Sequence, residues 1–145
     1  MQKLTIGAIA AVALGAAIYG FVPSQVPQSP VRAPAAETGA PLVPVALPAA
    51  FSDNATIGQR AFDANCAACH GANAAGRQGV APPLVHKIYE PSHHGDEAFQ
   101  RAAALGARAH HWPFGDMAPV AGLTRGDVAL IVTYVRELQR ENGIN

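Results

Sequence analysis

The string Cys66-Ala67-Ala68-Cys69-His70 restricts this chain more than any other feature of its sequence. It holds two thiols three positions apart, and an imidazole follows directly. The chain has only these 2 cysteines among its 145 residues, so they cannot form a disulfide framework across a domain. They are therefore a local redox pair, half of a metal site or a point of covalent attachment.

These interpretations differ in what else they require. A redox pair of the thioredoxin type belongs to a βαβ unit, and no strand pattern precedes Cys66. A structural zinc ion needs about four ligands, and there is no second cysteine pair. Two thiols at this spacing can each add to one vinyl group of a haem, whose iron the adjacent imidazole then binds. We therefore expect one covalent haem c, attached to Cys66 and Cys69 and ligated by His70.

Residues 1–22 are predicted to direct the export of the remaining chain. Lys3 precedes an uncharged stretch from Leu4 to Val22, a pattern typical of a signal peptide or an uncleaved signal anchor. The stretch lacks a clean Ala-x-Ala cleavage site, so we expect an uncleaved membrane anchor. The alternative is a cleaved signal and a soluble periplasmic protein. Because Lys3 favours the cytoplasmic side, both options place the rest of the protein on the periplasmic side of the inner membrane.

Residues 23–50 are expected to form a Pro/Ala-rich flexible linker. They contain 7 of the 12 prolines, which block helix interiors and sheet ladders. An extended spacer of this length reaches at most about 90 Å. With the anchor retained, it would tether the next domain near membrane partners; the alternative is a disordered segment without a role.

Residues 51–145 carry helical patterns and no alternation typical of a sheet. A first helix is predicted after Ser52-Asp53-Asn54, ending near Cys66, with apolar residues at helical spacing: Ile57, Ala61 and Phe62. A second is predicted from Gly95-Asp96-Glu97 to Gly106. Residues 76–83 and 90–95 are predicted to be loops.

The third helix has the clearest pattern. Thr124 and Asp127 suit a capping box, and Arg140 and Gly143 mark the end. One apolar stripe runs between them: Val128, Ile131, Val132, Val135 and Leu138. The sequence therefore predicts a small all-α domain.

Further strings come after the cysteine motif in a definite order. They are Ala81-Pro82-Pro83-Leu84, Met117-Ala118-Pro119, and Leu123-Thr124 leading into Tyr134-Val135-Arg136. With Gly58, Phe62 and Asn65 ahead of the motif, they make the stretch from Gly58 to Ile144 resemble the class I monohaem cytochrome c family. The resemblance implies a small helical shell whose first and last helices cross around the haem.

The resemblance also implies a second iron ligand. The family places a methionine in the loop before the last helix, and Met117 occupies that place. A thioether is soft and neutral, stabilises ferrous iron and so raises the reduction potential. The alternatives are ligation by His110 or His111, and an open sixth position.

Three other residues acquire expected roles from the same match. Pro82 corresponds to the proline whose carbonyl accepts a hydrogen bond from the iron-binding histidine, although Ala81 stands where glycine is usual. Gly58 and Tyr134 correspond to a small residue and an aromatic one that allow the terminal helices to cross closely.

The remaining histidines are His86 and two adjacent pairs, His93-His94 and His110-His111. Adjacent side chains in an extended segment point in opposite directions, which suits two roles better than one metal site. One hypothesis is a haem propionate contact by Trp112, Arg108 or His111. A second is a copper or zinc site formed by the two pairs, and a third is solvated polar loops.

Charge and ligation together restrict the function. Lys+Arg and Asp+Glu balance at 10 each, so nucleic-acid binding is not expected. With both axial positions filled, iron has no vacancy for a substrate, which predicts a one-electron carrier and not an enzyme. Its expected partners are a redox protein that donates electrons and another that accepts them. A membrane respiratory complex is one of the expected partners. The alternatives are a dedicated cytochrome c subunit of a larger membrane dehydrogenase or oxidase complex, and an open-site haem enzyme or gas sensor.

Overall fold

The computed structural model describes residues 37–145 of the chain. These residues form four α-helices: α1 (Asp53–Asn65), α2 (Ala67–His70), α3 (Asp96–Leu105) and α4 (Arg125–Glu141). Short 3-10 turns lie at Ala72–Ala74 and Lys87–Tyr89. Residues 37–145 contain isolated β-bridges but no strand. The prediction of an all-α domain is therefore confirmed.

The predicted anchor, residues 1–22, lies outside the described residues, as does the first part of the predicted linker. Between residues 37 and 145, no helix has the length and apolar character needed to cross a membrane.

α1 begins at a side-chain cap. Ser52 Oγ accepts a hydrogen bond of 3.2 Å from the Ala55 N–H. The buried face consists of Ala55, Gly58 and Phe62, which recur at the spacing of one helical stripe. Ile57 shares the helical spacing noted in the sequence but points away from this stripe and is 48% exposed.

The start of α4 is explained by its sequence. Thr124 Oγ1 accepts a hydrogen bond from the Asp127 N–H at 3.2 Å, and Asp127 Oδ2 accepts one from the Thr124 N–H at 2.9 Å. This reciprocal capping box satisfies two donors that the first turn would otherwise leave unpaired. The predicted apolar stripe is buried: Val128, Ile131, Val132, Val135 and Leu138.

α1 and α4 cross closely because Gly58 has no side chain. A Cβ at Gly58 would lie 1.9 Å from the Leu130 carbonyl oxygen. Tyr134 is fully buried and packs against the rings of Phe51 and Phe62, with centroids 5.2 and 5.5 Å away. Gly58 thus meets the α4 backbone one turn before Tyr134.

Residues 39–46, which we call the strap, lie against the helical domain. The Val43 N–H donates to the Ala75 carbonyl at 3.2 Å. Ala46 exchanges two hydrogen bonds of 2.9 Å with the side chain of Asn142. Residues 39–46 of the predicted linker are therefore hydrogen-bonded to the helical domain.

Candidate functional site

The helices and the loops between them enclose a cavity of about 440 Å³. This volume falls within the range of ligand pockets, about 300–1,000 Å³. The wall is largely apolar and includes Phe62, Leu84, Phe99, Val128 and Ile131. The structure also brings all six predicted site residues to this cavity: Cys66, Cys69, His70, Pro82, Trp112 and Met117.

Cys66 immediately precedes α2, and Cys69 is the third of its four residues. Cys66 is half-buried between α1 and α2, and Cys69 is exposed. Burial, and then the neighbouring Cys69, raises the pKa of the Cys66 thiol to about 11. Redox-active cysteine pairs depend on a lowered thiol pKa, so this environment does not suit a redox pair.

His70 ends α2 and is buried, with 8% of its surface exposed. Its Nδ1–H donates to the Pro82 carbonyl oxygen at 2.9 Å, which leaves Nε2 as the nitrogen able to bind a metal. Burial lowers the pKa of His70, although the hydrogen bond to Pro82 acts in the opposite direction. The ring is therefore held in one orientation in the neutral form that metals require.

A short backbone bridge positions the loop that carries Met117. Ala107 and Met117 exchange two hydrogen bonds of 2.8 and 3.0 Å. Gly106, with φ of +77°, allows this approach, because a Cβ there would lie 2.4 Å from the Met117 carbonyl oxygen. From the sequence, Gly106 was predicted only to end a helix. Its contact with the loop that carries Met117 could not be predicted, because no local sequence pattern connects these two positions.

Trp112 provides an unpaired donor in the wall of the cavity. Its Nε1–H is buried and has no hydrogen-bond acceptor among the described residues. Leaving a buried donor unsatisfied costs about 1–3 kcal/mol. Tyr89 lines the same cavity, and burial raises the pKa of its phenol. A bound carboxylate, such as a haem propionate, would satisfy the indole.

The donor set and the cavity wall thus fit a haem, and the comparison with protein families agrees. A family model described as Cytochrome c matches residues 55–139, more than half of the 145-residue chain. The chain belongs to the cytochrome c family. The comparisons with curated proteins and with solved structures found no match. Cytochromes c bind covalently attached haem c, and the Cys66/Cys69 pair is that of their Cys-x-x-Cys-His motif. This cytochrome c is a haem-binding electron-transfer protein.

One buried arginine of this cytochrome c supports the loop beside the cavity, and sequence reasoning missed its role. Arg136 donates from Nη1 to the Tyr89 carbonyl at 2.7 Å and from Nη2 to the His94 carbonyl at 2.6 Å. Its Nε donates to Asp96 Oδ1 at 2.9 Å. The only sign of this role in the sequence is that Arg136 lies beside the apolar stripe of α4. The sequence does not show which groups the arginine binds.

The two histidine pairs of the cytochrome c domain lie close together in the structure. His93 and His94 sit in a turn, where both N–H groups donate to the Glu90 carbonyl at 3.0 and 2.8 Å. The turn places their ring centroids 4.7 Å apart, so the expectation of opposite directions was wrong. Partial desolvation, and then the nearby histidines, lowers the pKa of His111.

Proposed function

We propose that this cytochrome c carries single electrons with His70 and Met117 as the two axial ligands of its iron. Cys66 and Cys69 would hold the haem through thioethers. The observation that carries the proposal is that these four side chains line one apolar cavity, in which the His70 ring is already oriented by Pro82.

The chain's own residues would determine how the site behaves. Haem iron supplies a one-electron couple when it is bound. The Pro82 carbonyl holds the His70 ring and raises its basicity as a ligand, and the Met117 thioether favours the ferrous state. Trp112 would donate to a propionate. With both axial positions filled, no vacancy remains for a substrate, so the proposal is a carrier and not an enzyme.

The proposed site of action is the periplasmic side of the inner membrane, with residues 1–22 as an anchor. Lys3 and the uncharged stretch from Leu4 to Val22 support this proposal. The partners would be a protein donor and a protein acceptor of electrons, one of them in a membrane respiratory complex. Recovery of a stoichiometric partner after mild solubilisation would instead indicate a dedicated subunit of a larger complex.

Met117→Ala tests the axial ligation directly. The oxidised wild-type haem protein is expected to show the near-infrared sulfur-to-iron charge-transfer band, and the variant is expected to lose it. Since the thioether stabilises ferrous iron, the reduction potential of the variant should also fall. Absorption spectroscopy and a redox titration measure the two effects.

His110→Ala and His111→Ala are the matched controls, because these residues line the same cavity and are the alternative ligands. Both variants should keep the charge-transfer band. Absence of the band from the wild type, or its loss in either control, would contradict ligation by Met117.

A further inference from the structure

Three histidines form a cluster outside the proposed iron site. One ring nitrogen from each of His93, His94 and His111 lies within 4.8 Å of the other two. His93 and His111 are exposed and His94 is half-buried. The cluster joins the loop before α3 to the loop that carries Trp112 and Met117.

The spacing of the nitrogens matches a metal site. His93 Nε2 and His111 Nε2 are 3.3 Å apart. Two nitrogens bound about 2.0–2.1 Å from a tetrahedral zinc ion lie about 3.3–3.4 Å from each other. A hydrogen bond between the two rings would explain this one distance, but it would not explain the third nitrogen beside them.

His94 has the second contact that metal-binding histidines usually make. Its Nδ1–H donates to the Ile88 carbonyl at 2.6 Å, which leaves Nε2 free for an ion and fixes the ring. Its backbone is also held, because its carbonyl accepts a hydrogen bond of 2.6 Å from Arg136. The least exposed member of the cluster is therefore oriented before any ion arrives.

We propose that His93, His94 and His111 bind one divalent transition-metal ion of the zinc or copper class. Three imidazoles suit these ions, and copper(II) binds such ligands more tightly than zinc. Solvent completes the coordination, as in sites with three protein ligands. The bound ion fastens the two loops to each other beside the haem cavity. In one respect the proposal rests on the proposed function: His111 must not be the sixth iron ligand, which the charge-transfer band of His111→Ala tests separately from metal binding.

The test uses the oxidised haem protein without an affinity tag, since the thioether bonds then remove both cysteines as competing ligands. Zinc is titrated by calorimetry, and copper(II) by electron paramagnetic resonance, in which nitrogen coupling reports imidazole binding. We expect one ion per chain. Zinc should also raise the midpoint of thermal unfolding, because an ion that binds only the folded state stabilises it.

His93→Ala and His111→Ala are the main variants, since both side chains are exposed and their loss should not prevent folding. Loss of an outer contact alone weakens metal sites about 10–100-fold, so loss of a ligand should weaken binding at least about 100-fold. His86→Ala is the matched control: it also removes a histidine, but one outside the cluster, and should bind the ion as the wild type does.

The outcomes separate the metals and decide the proposal. Stoichiometric binding of copper alone would support the site and assign it to copper, whereas binding of both ions would support a site of the general class. Failure of both ions to bind stoichiometrically would overturn the proposal. Equal affinity of His93→Ala, His111→Ala and the wild type would also overturn it, as would an equal loss in His86→Ala.

Discussion

Arg136 shows how one side chain can hold several segments together. Its side chain is 9% exposed, and its guanidinium donates to two loop carbonyls, to Asp96 and to Gln139 Oε1. The Phe99 ring lies 5.0 Å from its central carbon. A guanidinium offers five donors in a fixed plane, so no other side chain can replace this set of contacts.

Arg136→Leu is therefore expected to lower the free energy of unfolding by about 3 kcal/mol, because it leaves buried acceptors without a donor. Denaturant unfolding of the haem protein measures the effect. Arg125→Leu is the matched control, since Arg125 pairs with Glu97 at the surface, where both side chains are more than half exposed. A surface pair contributes about 0–1 kcal/mol, so equal losses in the two variants would contradict the role of Arg136.

Among single residues, those that could be predicted from the sequence are the ones whose functional partners are close to them in the chain. Cys66, Cys69 and His70 are adjacent in the chain, and their spacing alone indicates haem attachment. Arg136 and Tyr89 could not be assigned, because their contacts join positions 47 residues apart. The direction of the His93 and His94 side chains could not be predicted for a related reason: it depends on a turn whose hydrogen bonds the sequence does not display.

Among the helices, the crossing of α1 and α4 depends on a contact between backbones. Gly58→Ala would place a methyl group 1.9 Å from the Leu130 carbonyl oxygen, so the helices must move apart. Overpacking of this kind costs about 1–3 kcal/mol, and thermal unfolding should show a lower midpoint. Gly126→Ala, in the first turn of α4, meets only Thr124 Oγ1 at 3.6 Å. This control should be neutral or slightly stabilising; an equal loss there would contradict the explanation.

The cap of α4 predicts a dependence of stability on pH. Hydrogen bonds from the Thr124 side chain and backbone lower the pKa of Asp127. A carboxylate with a lowered folded-state pKa stabilises the protein above its unfolded pKa of about 3.9, and this contribution disappears as the pH falls through the folded value. Asp127→Asn should therefore differ most from the wild type near neutral pH, and the difference should shrink in acid.

Thr124→Ala gives the same cap a second test. Loss of a capping hydroxyl costs about 1 kcal/mol, which denaturant unfolding at neutral pH can measure. Thr133→Ala is the matched control, because the Thr133 hydroxyl donates to Ala129 within the same helix and caps nothing. If the two variants lose equal stability, the cap does not have the proposed role.

The positions of these helices were largely predictable, because caps and periodicity are local signals. α3 begins after Gly95 and stops at Gly106 as the sequence indicates, and α4 has the predicted capping box. The buried face of α1 was harder to predict, because Ile57 is apolar and yet exposed, whereas Gly58 permits the close contact with α4.

For the whole molecule, the cavity leads us to expect that the tertiary packing depends on bound haem. A chain that closes around about 440 Å³ of largely apolar space lacks packing contacts there when the space is not filled by haem. Cys66→Ser combined with Cys69→Ser, purified without haem, should keep helical far-ultraviolet circular dichroism but lose the near-ultraviolet signal. The covalently loaded wild type is the reference. A sharp near-ultraviolet spectrum in the haem-free variant would contradict this dependence.

The strap has a consequence for how far the domain could travel from a membrane. Gly39 is already bound to the domain, since its N–H donates to the Gln78 carbonyl at 2.8 Å. Only residues 23–38 then separate the proposed anchor from the folded part. In an extended polyproline-like conformation they reach about 50 Å, instead of the about 90 Å allowed by a free linker up to residue 50. An anchored molecule would therefore search a hemisphere of roughly half the radius, and an electron partner would have to present its docking face close to the lipid surface.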